Sequence, residues 1–411
     1  MVPFRGERYR ASDRLSALIA PPYDVIDPAQ RARLAALDEH NIVHLMLPEA
    51  PPDWTGGNRY DWAAQQLAAW RRSGVLVRDA EPAVYVIAQG ARLGAFVALA
   101  AEGYEPRRVR PHEKTHAGPK ADRLALLRAT RANLESIFLI APDGDRALAH
   151  GLARVAERPP MARAELEGVP IKLWMVTGEE GLQLAADCAQ RPLYIADGHH
   201  RYETASAYAR ENPAVDRVLA CIVSAGDPGL VVLPTHRVIF GAGRDAAQLL
   251  DQWRAMWDVA PVPGGADPVR HLAALGRDRT ACLVAFPGHG VMSLTLRDAV
   301  QLDAVPDLDG GPAVRALDVA RVEALIVKRI LAASASTPTL RYTADAHEAL
   351  ESVRPGAGGA SAAVLLNPTR VEQVFAVADA GEVMPPKSTY FVPKVPAGVV
   401  LADWRAGAGH A

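Results

Sequence analysis

One stretch constrains this chain more than any other: Tyr194-Ile195-Ala196-Asp197-Gly198-His199-His200-Arg201-Tyr202-Glu203-Thr204-Ala205. It reads as a short buried strand, a tight Asp-Gly turn, and a helix that opens on two histidines and an arginine. Glycine lets the backbone come close to a ligand. The N–H groups and positive dipole end of a new helix favour a phosphate or carboxylate. Arg201 adds a planar fork suited to phosphate oxygens. A plain strand-turn-helix with Asp197 as a cap would use the same letters; the His-His-Arg run directly behind it turns the reading toward an anion site.

A chain of 411 residues is long for a single core, so two domains or one elaborated domain are expected. With 49% hydrophobic residues there is ample material to bury. The net charge of -2, with acids and bases mixed throughout, argues against a nucleic-acid protein held by bulk electrostatics and leaves room for a local basic pocket. Cys188, Cys221 and Cys282 are well separated and read as reduced core residues. The opening MVPFRGERYR carries no apolar signal region, and no run approaches the roughly 20 apolar residues of a membrane span. The expectation is a cytoplasmic protein with no membrane and no nucleic-acid partner; oligomeric state is not legible.

Along the chain, Ile19-Ala20-Pro21-Pro22-Tyr23-Asp24-Val25-Ile26 forms a rigid loop presenting Tyr23 and Asp24. Helices are expected over 28–39 and 59–75, a hairpin over 83–88 and 93–99, an ordered loop over 105–120, and a helix over 121–132. Strands are expected at 136–140, 171–176, 192–196, 218–223 and 230–233, with helix 200–211 after the Asp-Gly turn. Beyond a soft boundary near 242 come helix 246–259, strands 281–286 and 291–296, helix 317–332, and helix 345–353 between strands 339–343 and 362–366. The fold class is α/β (mixed α+β), divided as 1–242 and 243–411, with the stretch 384–394 free to return to the site.

Three further clusters carry chemistry. Arg110-Pro111-His112-Glu113-Lys114-Thr115-His116-Ala117-Gly118-Pro119-Lys120-Ala121-Asp122-Arg123 contains the letters H-E-x-x-H. Those bind zinc when both histidines sit one turn apart on a helix, and the prolines on either side oppose such a helix. Read as a loop, the cluster offers Glu113 as a general base and Lys114, Lys120 and Arg123 for phosphates. Leu233-Pro234-Thr235-His236-Arg237-Val238 places hydroxyl, imidazole and guanidinium at a strand break. Met384-Pro385-Pro386-Lys387-Ser388-Thr389-Tyr390-Phe391-Val392-Pro393-Lys394 holds a Lys-Ser-Thr without the upstream glycines of a Walker A loop. Each of the three also has a plainer reading, as a solvated charged loop, a polar strand end, or a strand docked on the core.

Together, in this order, the clusters resemble a bacterial and archaeal family known as domain-of-unknown-function family 1015, over nearly the whole chain. That family's loop is H-E-K-T without a fixed second histidine, which weakens a zinc role for His116. Asp197-Gly198-His199-His200-Arg201 is also similar to the phosphate-binding box of the ParB/sulfiredoxin fold, so the resemblance implies a ParB/sulfiredoxin-like core with large insertions and a C-terminal α+β region. Sulfiredoxin chemistry needs a cysteine beside the box and partitioning proteins bring basic DNA-binding helices; neither is present here. The small-molecule kinases of that fold, which act on free serine, remain. The resemblance implies phosphate transfer from ATP or ADP, with Mg²⁺, to a small hydroxylated metabolite such as L-serine. Gly198, His199, His200 and Arg201 would form the cradle and Glu113 the base, with Asp24 in reserve and Asp197 in the turn. Lys114, Lys120, His236, Arg237 and Lys387 would serve as clamps. A non-catalytic nucleotide-binding protein is the alternative, and a zinc hydrolase using His112, Glu113 and His116 a distant third.

Overall fold

The computed structural model describes residues 1–189, 192–243, 245–305, 307–332, 337–356 and 358–404. Arg244, beside the expected boundary near 242, lies outside the described residues. The architecture is mixed α/β, in two compact units. The first gathers Met1–Pro111, Thr115–Val231 and Pro393–Ala411; the second gathers His112–Lys114 and Val232–Val392.

The strands of the first unit are β1 (Gly6–Tyr9), β2 (Leu76–Arg78), β3 (Ala83–Gln89), β4 (Arg92–Ala100), β5 (Val109–Arg110), β6 (Ala132–Asn133), β7 (Ile137–Ala141), β8 (Ala162–Leu166), β9 (Val169–Thr177), β10 (Leu193–Asp197) and β11 (Arg217–Ser224). A mixed sheet runs in the order β5-β10-β7-β11-β4-β3-β9-β8. β10 is parallel to β5 and antiparallel to β7. The β3–β4 hairpin pairs Gln89 with Arg92, and Gly90 at φ +60° supplies the left-handed turn residue that a two-residue hairpin needs. A smaller antiparallel sheet joins β2, β1, the strand Leu401–Asp403 and β6.

Helices of this unit include α1 (Pro28–Leu37), α2 (Arg59–Arg72), α3 (Ala117–Thr130), α4 (Ala147–Ala156), α5 (Gly178–Ala189) and α6 (His199–Glu211). Asp27 caps α1 through the Gln30 amide, and Asn58 with Asp61 forms a reciprocal capping box on α2. α4 and α5 fall where the sequence reading named no element. Their apolar stripe of Leu148, Leu152, Val155 and Leu184 joins Val84, Val86, Val97, Leu99, Ile137, Leu139 and Ile195 in one core cluster. Each such fully buried Leu, Ile or Val contributes about 1.5–3 kcal/mol. α3 begins at Ala117, ahead of the expected 121. Pro119 falls in its first turn, where a missing N–H costs nothing.

In the second unit, β12 (His236–Phe240), β13 (Trp257–Pro261), β14 (Ala281–Phe286), β15 (Gly290–Leu296), β16 (Thr339–Thr343) and β17 (Ala362–Leu366) form an antiparallel sheet in the order β13-β15-β14-β17-β12-β16. Its helices include α7 (Ala246–Trp253), α8 (Pro268–Leu275), α9 (Asp318–Val322), a π-helical turn (Glu323–Val327), α10 (Lys328–Leu331), α11 (Ala346–Glu351) and α12 (Val371–Ala380). Two expectations need correction here. The helix expected over 246–259 stops at Trp253, because Trp257 and Val259 are drawn into β13 opposite Leu296 and Leu294. The helix expected over 317–332 is helical throughout its middle but widens to π geometry at Glu323–Val327. Among the described residues, no helix is long and apolar enough to cross a membrane.

Candidate functional site

The strand-turn-helix around Asp197 is present as β10, Gly198 and α6. A register shift between Ile195 and Asp197 in the pairing with β7 bends the strand just before the turn, a device that re-aims a side chain beside a site. Gly198 takes φ +91°, and a Cβ there would lie 3.1 Å from the Arg201 guanidinium. Glycine is therefore required twice, for its backbone conformation and for the arginine folded over it. No side chain caps α6, so its N-terminus presents backbone amides in the way that binds anions.

Arg201 is buried and turned back on its own turn. One terminal nitrogen bonds the Asp197 carboxylate and the other the Ser136 carbonyl. Its Nε has no hydrogen-bond partner. The second oxygen of Asp197 accepts from Lys394. Burial opposes ionisation of Asp197, but Lys394 and Arg201 outweigh it and hold the carboxyl down to about 2. Burial likewise opposes the charge of Arg201, and Asp197, Glu135 and Asp24 more than offset it, raising its pKa.

Two more groups complete this cluster. Glu135 is buried, which raises its pKa. It accepts from the Tyr23 amide at 2.8 Å and lies 3.7 Å from Arg123. The Arg123 guanidinium stacks 4.2 Å from the Tyr23 ring centroid and donates to the Met46 carbonyl at 2.8 Å. Asp24 follows in the 3-10 turn Tyr23–Val25, after the extended Pro22. As a residue it is exposed, and protein atoms about its carboxyl still desolvate it. Desolvation and then the Asp197 charge push it above the ordinary range, against the pull of Arg201 and Lys394.

Thr115 to Lys120 ties onto α6. Thr115 Oγ1 donates to Glu203 at 2.7 Å, and Lys120 Nζ lies 3.0 Å from the same oxygen. The His116 amide donates to His200 Nε2 at 2.9 Å. That bond makes Nε2 the acceptor and leaves the ring proton on Nδ1. Burial and then His116 lower the His200 pKa, which favours the neutral ring.

The first unit thus holds Asp24, Asp197, Gly198, His199, His200, Arg201 and Lys120. His112, Glu113, Lys114, His236, Arg237 and Lys387 belong to the second. There, His112 is fully buried, with Nε2 3.0 Å from Thr389 Oγ1, and its carbonyl accepts from the Met384 amide. Lys387 is exposed at φ +56°. His236 Nδ1 accepts from the Leu366 amide at 3.2 Å, and burial followed by Arg237 lowers its pKa to about 4. Arg237 bonds the Thr235 carbonyl, lies 3.3 Å from Glu323 and 5.4 Å from the Tyr342 ring centroid.

The H-E-x-x-H letters do not lie on a helix. His116 is extended and precedes the first turn of α3, and among the described residues no group of three or more His, Cys, Asp or Glu is placed to hold a metal. Lys394, Glu203 and Glu135 carry no role that their sequence surroundings announce. Pro393-Lys394 repeats the strand-then-proline signal noted at Pro234, which could have drawn attention to the lysine.

Solved structures similar to this chain include a free serine kinase in complex with AMP, at 14% identity and TM-score 0.38, over 72% of this chain and 87% of that one. A conserved hypothetical protein from Pyrococcus furiosus matches at 14% identity and TM-score 0.36, over 74% and 93%. C-terminally truncated SbnI from Staphylococcus aureus matches at 11% and TM-score 0.36, over 72% and 82%. No curated protein matches the sequence. The family described as "Protein of unknown function (DUF1015)" matches residues 1–320, and the chain belongs to that family.

Proposed function

We propose that this protein is a phosphotransferase that moves a phosphoryl group from ATP or ADP to the hydroxyl of a small metabolite. The observation that carries the reading is the conjunction, within the first unit, of an uncapped helix N-terminus after Gly198 with a carboxyl, Asp24, whose proton affinity is raised. One binds phosphate; the other accepts a proton. The α6 amides and His200 cradle the phosphates. Arg201 and Lys394, held by Asp197, act through their field and keep the turn in shape. The acceptor oxygen attacks the terminal phosphorus as its proton passes to Asp24. The new P–O bond forms while the bond to the bridging oxygen breaks, releasing ADP from ATP or AMP from ADP.

Mg²⁺ is usually held by one or two carboxylates together with substrate phosphates; both Asp197 oxygens are engaged by Arg201 and Lys394 and Asp24 is the base, so Mg²⁺ would be held chiefly by the phosphates it arrives with. When bound, it would neutralise phosphate charge. Glu113 is the second candidate base, and Lys114, Lys120 and Lys387 are candidate clamps; His236 and Arg237 are buried among partners of their own unit. L-Serine leads the acceptor candidates through the resemblance of the 197–201 box to serine kinases.

Phosphorus NMR of the protein with Mg²⁺, ATP or ADP, and a pool of hydroxylated metabolites led by L-serine tests the reading. A new phosphomonoester signal supports it. Intact nucleotide with line-broadened resonances favours a non-catalytic nucleotide-binding protein. Should a product form, E113Q identifies the base: loss of turnover with binding intact would move that role from Asp24 to Glu113.

A further inference from the structure

The groove between α3 and α6 contains a cavity of about 540 Å³ in the first unit. That volume suits a ligand of nucleoside size, within the roughly 300–1,000 Å³ of small-molecule pockets, and is generous for a single amino acid. Its walls are unevenly furnished. Leu124, Ala121 and Ala207 are apolar, and Tyr104 stands among them with one face stacked on buried Tyr202, centroids 5.3 Å apart at 30°. Glu203 and Lys120 close the end nearer the helix N-terminus. Thr204 also lines the cavity; it is 4% exposed, and its hydroxyl is buried without a hydrogen-bond partner. An unsatisfied buried hydroxyl costs about 1–3 kcal/mol and calls for a partner.

We propose that this cavity is the nucleoside subsite of the phosphate donor, with the base against Tyr104 and the ribose at Glu203. The inference rests on the phosphotransferase reading above and assigns the rest of the same ligand. Glu203 stands four residues beyond His199, one turn of α6, or about 6 Å of rise. A ribose attached to phosphates at the helix N-terminus falls at that distance. Glu203 Oε2 already accepts from Thr115 and Lys120, and a carboxylate in this position accepts ribose hydroxyls as acids do in dinucleotide sites. The aromatic face and apolar walls suit a planar base.

Calorimetric titration of the full chain with Mg²⁺-ADP, adenosine and inorganic pyrophosphate tests this. Ala207→Trp fills the groove, and Tyr104→Leu keeps the packing on Tyr202 but removes the π-face. Both should weaken ADP and adenosine at least about tenfold, the scale of a lost base–aromatic stack, and leave pyrophosphate unchanged. Circular dichroism and thermal melts matching wild type certify the fold; if one variant fails them, the other decides. Unchanged ADP affinity in a folded variant overturns the subsite and leaves the transferase reading standing. Wild-type protein that binds none of the three ligands overturns both.

Discussion

Arg201 and Arg237 are both buried guanidiniums, one in each unit, and their surroundings drive them in opposite directions. Arg201 is faced by Asp197, Glu135 and Asp24, and the three carboxylates raise its pKa in spite of burial. Arg237 has Glu323 at 3.3 Å and Tyr342, and burial wins: its pKa falls. One of its terminal nitrogens has no hydrogen-bond partner. Burial of a charge is thus not one condition but two. In the first unit the cation belongs to a network of alternating charges; in the second it is a desolvated donor with a single carboxylate, Glu323, beside it. A network suits a site that must receive a phosphate without rearranging. An undersupplied donor is held at a cost that packing elsewhere must offset.

The largest expected effect separates chemistry from charge balance. D24N should lower kcat about 10²–10⁴-fold, the usual worth of a general base, with ADP affinity kept in calorimetry. If D24N turns over normally, Asp24 is merely a counter-charge to Arg201. Next comes stability by urea unfolding. Arg201→Met leaves Asp197, Glu135 and Asp24 facing only Lys394 and Arg123, and should cost about 3–5 kcal/mol, as for a broken buried pair. Arg237→Met leaves Glu323 partly exposed and able to hydrate, so the loss should be about 1 kcal/mol. Equal losses would erase the distinction.

Acid sharpens the comparison further. His236 has a folded pKa of about 4 against 6.5 in the free side chain. Between those values the unfolded chain binds the extra proton, so its stabilisation is complete above pH 6.5 and lost as pH falls toward 4. For this buried group the loss approaches about 3 kcal/mol. In the first unit the lowered His200 acts in the same sense, whereas Asp24 and Glu135 are raised and add stability on acidification as they take up protons. The depressed Asp197 withdraws its share only as pH falls from about 4 to about 2. His236→Asn, with an oxygen to accept the Leu366 amide, should therefore flatten the wild-type decline in urea midpoint from pH 6.5 to 4; an unchanged slope would place that decline elsewhere. The smallest effect concerns Lys120, whose side chain is 38% exposed. Lys120→Met should change stability by no more than about 1 kcal/mol, as exposed pairs do.

What was legible in the sequence is what local chemistry fixes. Asp197-Gly198 announced a turn that only glycine could make, and the helix behind it followed. Gly90 marked its hairpin for the same reason. What was not legible depends on distant partners. Trp257 became a strand residue because Leu296 lay ready to pair with it. Glu135 gained its place from Tyr23 and Arg123, and Asp197 found Lys394 at a separation of 197 residues. No periodicity encodes such meetings. His236 and Arg237 were recognised as a polar group at a strand break, but the letters gave no sign that both would be buried.

The Asp197–Lys394 pair has a consequence for how the protein comes into being. On the ribosome, the first unit emerges with Asp24, Glu135 and Asp197 against Arg123 and Arg201, one positive charge short. Lys394 follows only after the whole second unit, Val232–Val392, has been made, a wait of roughly 10–30 s at ordinary rates of synthesis. Until then Asp197 lacks one of its two cations, and the turn carries surplus negative charge. The charge balance of this turn is thus completed by translation order, only when residue 394 arrives.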